Sequence, residues 1–275
     1  MRLLRLSAGW TAAGGGELSE QALLDLAADR PGRMLAEIGS GRTVAGLCYA
    51  APRRRWSGTT VEIAAAADTD RAMLVRLVVE AMRTENVPPP RHLWTATEEE
   101  ARAARACGLR TGRRLLRVAR QLPLEVSAEL PPGFDLRPYL PEMASPWLAA
   151  NNRAFGLHPD NGDWNLDDVA DRLSQPWFDA AGFLTAWRGT DLAAANWTKV
   201  HPRGVGEIYV VFVDPQFQGI RLGKAITVAG LRHLGEVRGC MNAHLHVEAD
   251  NRRALRMYLG LGFTEEAAAT VYVDG

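Results

Sequence analysis

Glu207-Ile-Tyr-Val-Val-Phe-Val213 decides the reading of this chain, together with the turn Gln218-Gly-Ile-Arg-Leu-Gly223 that follows it after Asp214-Pro215. The first run is apolar and rich in β-branched residues, the mark of a buried central strand over 207–213. Pro215 cannot donate to a sheet ladder and ends it. The turn passes directly into a helical pattern over 222–237. A strand that feeds a helix in this way exposes N–H groups at the positive end of the helix dipole. Two glycines in the turn let an anion approach the backbone closely, and a pyrophosphate suits such a junction.

Downstream, Ala243-His-Leu-His-Val247 alternates like a strand, and Glu248-Ala-Asp-Asn251 supplies an N-cap for a helix over 252–261 that Gly262 stops. A last strand is expected over 270–273. Upstream of the decisive stretch, 134–138 reads as a strand, 142–155 and 166–173 as helices, and 182–188 and 192–200 as paired strands. The first half has the same order of elements. It reads as a strand at 1–6, a helix over 17–30 after Gly14-Gly-Gly16, strands at 34–38 and 43–50 joined by Gly39-Ser-Gly41, and a strand at 59–65. A helix over 71–85 with Met73, Leu74, Leu77, Val78 and Ala81 on its apolar face comes next. A strand at 93–97, a helix at 98–107 and a strand at 114–121 complete the set. Gly108-Leu109 echoes Gly262-Phe263, so the chain reads as an internal duplication: 1–123, a linker over 124–133, and 134–275.

The copies differ chemically. The first has Ala66-Ala-Asp-Thr-Asp-Arg71 where the second has the glycine turn, and carboxylates at a helix N-terminus repel a pyrophosphate. The first copy therefore reads as decayed.

Composition narrows the classes. Lys and Arg total 32 against 32 Asp and Glu, and this balance argues against nucleic acid or an anionic membrane as partner. The basic loop with Arg53, Arg54, Arg55 and Trp56 reads as a solvated turn. No apolar run reaches the roughly 20 residues of a membrane span, and a cytoplasmic protein is expected. Cys48, Cys107 and Cys240 lack C-x-x-C spacing, so neither a disulfide framework nor a zinc motif is indicated.

Val247, Asn251, Ala254, Tyr258, Gly262 and Phe263 resemble the late motif of the GCN5-related N-acetyltransferase (GNAT) family, and the 218–223 turn resembles its pyrophosphate loop, with Arg221 in place of the middle glycine. The tandem order resembles the mycothiol-synthase-like branch. Its further markers are His158-Pro159, Gly162, Trp164, Trp177-Phe-Asp179, Asn196-Trp-Thr-Lys-Val-His-Pro202 and Gly206-Glu-Ile-Tyr-Val-Val211. The resemblance implies an α/β fold of two tandem GNAT domains, each a mixed, mostly antiparallel sheet flanked by helices. It implies acetyl-CoA as co-substrate, no metal, and a small polar amine as acceptor, such as a cysteinyl-glucosaminyl-inositol.

It further implies that Val211, Val213, Gln218, Gly219, Arg221, Leu222, Gly223, Lys224, Asn251, Ala254 and Tyr258 surround CoA. Glu207 would act as base, Tyr258 as acid, and backbone N–H groups over 209–211 would receive developing negative charge. Trp197, Lys199 and Tyr209 are expected to face the acceptor, since an indole stacks on a sugar and a cation hydrogen-bonds its hydroxyls. His158, His201, His244 and His246 read as non-catalytic, for want of carboxylate partners. The alternatives are acetylation of another amine, aminoglycoside-like or a natural-product intermediate, and a non-catalytic CoA-binding module.

Overall fold

The computed structural model describes residues 18–31, 34–40, 43–52, 58–85, 87–156, 158, 162 and 164–274. The strand expected at 1–6, the glycine run 14–16, Gly32, Gly41, the basic loop residues 53–57 and Pro159 lie outside the described residues. In the first half the elements run α1 (Glu20–Ala27), β1 (Met34–Ser40), β2 (Thr43–Pro52), β3 (Thr59–Ala65), α2 (Arg71–Thr84), β4 (Arg91–Thr95), α3 (Glu98–Ala106) and β5 (Arg110–Gln121). The second half begins with β6 (Asp135–Pro138), α4 (Ala144–Ala154), α5 (Leu166–Leu173), β7 (Phe183–Arg188) and β8 (Asp191–Val200). It continues with β9 (Gly206–Val213), α6 (Leu222–Arg232), β10 (Asn242–Glu248), α7 (Arg252–Leu259) and β11 (Thr264–Asp274). The residues 124–133 carry neither helix nor strand. Two compact units divide the chain, Met1–Leu115 with Ala268–Gly275, and Leu116–Ala267.

In the first unit β1 pairs antiparallel with β2 and β2 with β3, β3 runs parallel to β4, and β4 pairs antiparallel with β11. The helices start at local caps. Asp70 accepts from the Met73 N–H at 2.8 Å to open α2, and Thr97 and Glu100 form a reciprocal capping box on α3. The buried face of α2 is Leu74, Val75, Val78, Val79 and Met82, whereas Met73 and Leu77 are 45% and 49% exposed and Ala81 is exposed too. The apolar face read from sequence is thus turned by part of a residue step. The stretch from Met73 to Met82 is apolar almost all round, so periodicity alone admits both faces and packing against Val61, Leu93, Ala101 and Ala104 selects one.

In the second unit β6–β7, β7–β8 and β8–β9 are antiparallel and β9–β10 is parallel. Both units therefore hold a mixed, mostly antiparallel sheet with helices, as the α/β reading expects. Opposite faces of the second sheet have separate cores. Trp147 of α4, Trp164, Val169 of α5, Phe183, Trp197 and Phe212 form one, and Ala186, Ala193, Ala194, Leu222 and Ile226, the last two on α6, form the other. A strand covered on both faces is apolar at consecutive positions, which is why 192–198 of β8 is buried throughout. Asn196 ties β8 to α6, its Nδ2 donating to the Ile226 carbonyl at 2.9 Å. Gly230 permits that approach, because a Cβ there would lie 2.3 Å from Asn196 Nδ2.

Candidate active site

Strand β9 carries the site, and two irregularities shape it. Trp197 pairs with Val210 but Thr198 with Ile208, so Tyr209 is an extra residue in β9, a bulge. The bulge turns Tyr209 and Val210 toward the same aromatic core and re-aims the neighbouring N–H groups. On its other edge β9 pairs with β10 only at Gly206↔Ala243 and Glu207↔His244. Beyond those pairs, among the described residues, the strands continue to Val213 and Glu248 without pairing with each other, which leaves a cleft between them. Val211 and Val213 are half-buried beside α6.

The cleft ends at the glycine turn. Asp214, only 1% exposed, accepts from the Gln216 N–H at 3.0 Å and is paired with Arg153 at 2.6 Å, which fixes the chain reversal after β9. Gly219 has φ +91° and Arg221 has φ +67°, ψ 8°, both left-handed. Arg221 occupies the N-cap of α6 with no side-chain cap, so the first N–H groups of the helix, Leu222, Gly223 and Lys224, keep their donor capacity. In the first unit the matching helix start is closed by Asp70. Gln218 Nε2 reaches the Val213 carbonyl at 3.3 Å and Arg253 of α7 donates to Gln218 Oε1 at 3.2 Å, so the turn is held between β9 and α7. Asn251 caps α7, its Oδ1 accepting from Ala254 N–H at 3.1 Å. One turn on, Tyr258 is 6% exposed and meets Phe263 edge-on at 5.8 Å. Burial raises the Tyr258 phenol above its ordinary range, so it keeps its proton at neutral pH.

Glu207 sits at the closed end of the cleft, 7% exposed. Its reading as a catalytic carboxylate foresees no neighbours, but three imidazoles surround it. His201 Nε2 is 2.6 Å from Oε2, His246 Nδ1 is 3.5 Å from Oε1 and His244 Nε2 is 3.9 Å from Oε1. His158 likewise lies 3.5 Å from Glu248. The premise that these histidines lack carboxylate partners is therefore overturned: the turn after β8 folds His201 back, and the parallel register sets His244 beside Glu207. Burial pushes the Glu207 carboxyl up, but hydrogen bonds from His201 and His246 and the nearby imidazole charge outweigh it and hold it well below the usual range. Burial also carries His244 down to about 4, against the pull of Glu207, so this ring is neutral near pH 7.

Of the expected acceptor residues, Lys199 and Tyr209 come together and Trp197 does not join them at a surface. Lys199 Nζ lies 4.5 Å over the Trp177 ring and 5.2 Å over Tyr209. Trp197 is 0% exposed, stacked on Phe183 at 4.3 Å, tilted against Trp177 and edge-on to Tyr209, so it is the floor beneath the polar groups. Its place on a strand buried on both faces explains the correction. Arg172, unmarked in the sequence reading, donates from Nε to the Tyr209 hydroxyl at 2.7 Å and stacks over Trp164 at 3.9 Å. As a basic residue in the last turn of α5 it looks like ordinary helix punctuation, so no sequence signal singles it out. A cavity of about 590 Å³, with Arg117, Arg120, Asn242, His244, Thr264 and Glu266 in its wall, opens beside the Glu207 cluster.

The family model described as the acetyltransferase (GNAT) family matches residues 147–263. A mycothiol acetyltransferase of Thermomonospora curvata is 39% identical over 261 residues, which cover 93% of this chain and 86% of that one. Another, of Saccharopolyspora erythraea, is 38% identical over 90% of this chain and 79% of its own. Among solved structures, a tandem GNAT protein of the clavulanic acid biosynthesis pathway is similar in fold at a TM-score of 0.69 and 14% identity, covering 99% of this chain and 93% of that one.

Proposed function

This chain belongs to the acetyltransferase (GNAT) family, and from that premise we propose that its second half acetylates the cysteinyl amine of a glucosaminyl-inositol thiol precursor. It is an acyl-CoA-dependent N-acetyltransferase, and its relatives named mycothiol acetyltransferase favour that acceptor. The observation that carries the reading is the cleft: β9 and β10 part after two paired residues, with a bulge on one wall and an uncapped helix N-terminus at its end.

The residues present fit acetyl-CoA. The N–H groups of Leu222, Gly223 and Lys224 and the Arg221 guanidinium would hold the pyrophosphate, Gly219 leaves its approach open, and Val211, Val213 and Ala254 line the arm. Bound there, acetyl-CoA supplies an activated acetyl group as a thioester. Glu207, ionised at neutral pH, takes the proton that the acceptor ammonium must lose, directly or through a water, with His201 on its other oxygen. N–H groups re-aimed by the bulge over 209–211 donate to the oxygen on which negative charge builds. Tyr258 donates its proton to the departing sulfur. Lys199 and Tyr209, on a floor of Trp177 and Trp197, present donors to a hydroxyl-rich acceptor, and buried Arg172 holds the Tyr209 hydroxyl in place. Residues 1–123 form a degenerate copy closed to CoA by Asp70, with 124–133 as linker and 134–275 as the catalytic domain.

Mass spectrometry of acceptor incubated with protein and isotopically labelled acetyl-CoA tests this. Labelled acetyl on the cysteinyl nitrogen is expected. Transfer to an aminoglycoside but not to the cysteinyl compound would move the assignment to another amine, and acetyl-CoA binding without transfer to any amine would refute catalysis.

A further inference from the structure

We propose that His201, Glu207 and His244 form a binding site for a zinc-class divalent cation, and that its occupation silences acetyl transfer. One ligand atom from each of the three lies within 4.8 Å of the others, in a cluster of one half-buried and two buried residues. Two imidazole nitrogens and a carboxylate oxygen are the donor set of open-position zinc sites. With metal–ligand bonds near 2.0–2.1 Å, tetrahedral ligand atoms stand about 3.3 Å apart. The two imidazoles reach opposite oxygens of the carboxylate, 2.6 Å from His201 Nε2 to Oε2 and 3.9 Å from His244 Nε2 to Oε1, so a cation requires one oxygen to be drawn between them. The longer edge can close, because His244 Nδ1 is buried and has no hydrogen-bond partner among the described residues, so no hydrogen bond fixes the ring from behind.

A further imidazole lies at the edge of the cluster. His246 Nδ1 is 3.5 Å from Glu207 Oε1, and its side chain is 45% exposed, which gives the cation a way in. Arg117 is the cation that acts on His244, and its charge is shared with Glu266 at 3.3 Å. On binding, the metal replaces the hydrogen between His201 and Glu207, which leaves to water as a proton; no oxidation state changes. Binding needs nothing from the acetyl-transfer reading. Inhibition does rest on that reading, since it follows from Glu207 lone pairs being held by the metal when the ammonium proton must be accepted.

The full chain is titrated with Zn²⁺ against a chromophoric chelator, and with Co²⁺ while its visible absorption is recorded. Competition with the chelator and Co²⁺ bands of tetrahedral intensity are expected. His244→Ala and His201→Ala should each weaken binding by at least about 10–100-fold, the loss typical of removing a group that merely supports a ligand, with thermal unfolding followed to establish that each variant is folded. His201 is the more exposed, so its variant serves if His244→Ala does not fold. Absence of competition, or binding untouched by both substitutions, overturns the site. In a parallel turnover assay Zn²⁺ should inhibit at the concentration that fills the site, and chelation should restore the rate. Filled sites with full turnover overturn the inhibitory claim and the assignment of Glu207 as base, while leaving the metal site standing.

Discussion

Replacing Arg221 by glycine separates two effects that this residue combines. A non-glycine residue at φ +67°, ψ 8° is strained by about 1–2 kcal/mol, the cost of bringing Cβ against the following carbonyl. Glycine removes that strain but gives the unfolded chain extra freedom worth about 0.5–1 kcal/mol. The net effect on the free protein is a gain of up to about 1.5 kcal/mol, read as a higher midpoint in denaturant unfolding. Binding moves the other way. Arg221 is exposed at the uncapped start of α6, where its guanidinium can pair with phosphate. Loss of a charge-assisted hydrogen bond costs about 1.5–3 kcal/mol, and at 1.4 kcal/mol per decade acetyl-CoA should bind at least about tenfold more weakly by calorimetry. A variant with lower stability and unchanged affinity would refute both halves of the reasoning: the arginine would be neither strained nor in contact with phosphate.

Glu207→Gln should lower turnover by about 10²–10⁴-fold at neutral pH, and part of the rate should return as pH rises and the amine ionises unaided. Tyr258→Phe should lose rate with little recovery at high pH, since amine deprotonation is not what it impairs; steady-state pH profiles distinguish the two. Gly230→Ala places a methyl against the buried Asn196 amide and should destabilise by about 1–3 kcal/mol in denaturant titration. Asp179 feels burial, which raises its pKa, but hydrogen bonds to Arg238 and His233 prevail and lower it. Its contribution to stability is therefore complete above the unfolded carboxylate pKa near 4 and is lost as pH falls through the lower folded value. Unfolding curves from pH 5 to 2 should show a steeper acid loss in the wild type than in Asp179→Asn.

Local chemistry was readable where one cause dominated. The strand at 207–213, the helix opening at Leu222, the Asn251 cap and the stop at Gly262 each answer to neighbours within a few residues, and all stand within two residues of their expected places. The buried face of α2 and the enclosed position of Trp197 were not readable, because an element apolar on more than one side takes its orientation from whatever packs on it. The imidazole ring around Glu207 belongs to the same class. His201 is six residues away across a turn, and His244 and His246 are on a different strand.

The amino-acid order by itself determined the duplicated α/β plan, the strand-turn-helix junction suited to a pyrophosphate and the inequality of its two copies, since spacing, proline, glycine and end charges act over a few residues. Tertiary structure decided what Glu207 touches. A two-residue parallel register brings His244 alongside it and then lets the strands diverge, so the same pairing that opens the cleft also surrounds its carboxylate. Register is fixed by the packing of whole faces, and no local run of residues carries it.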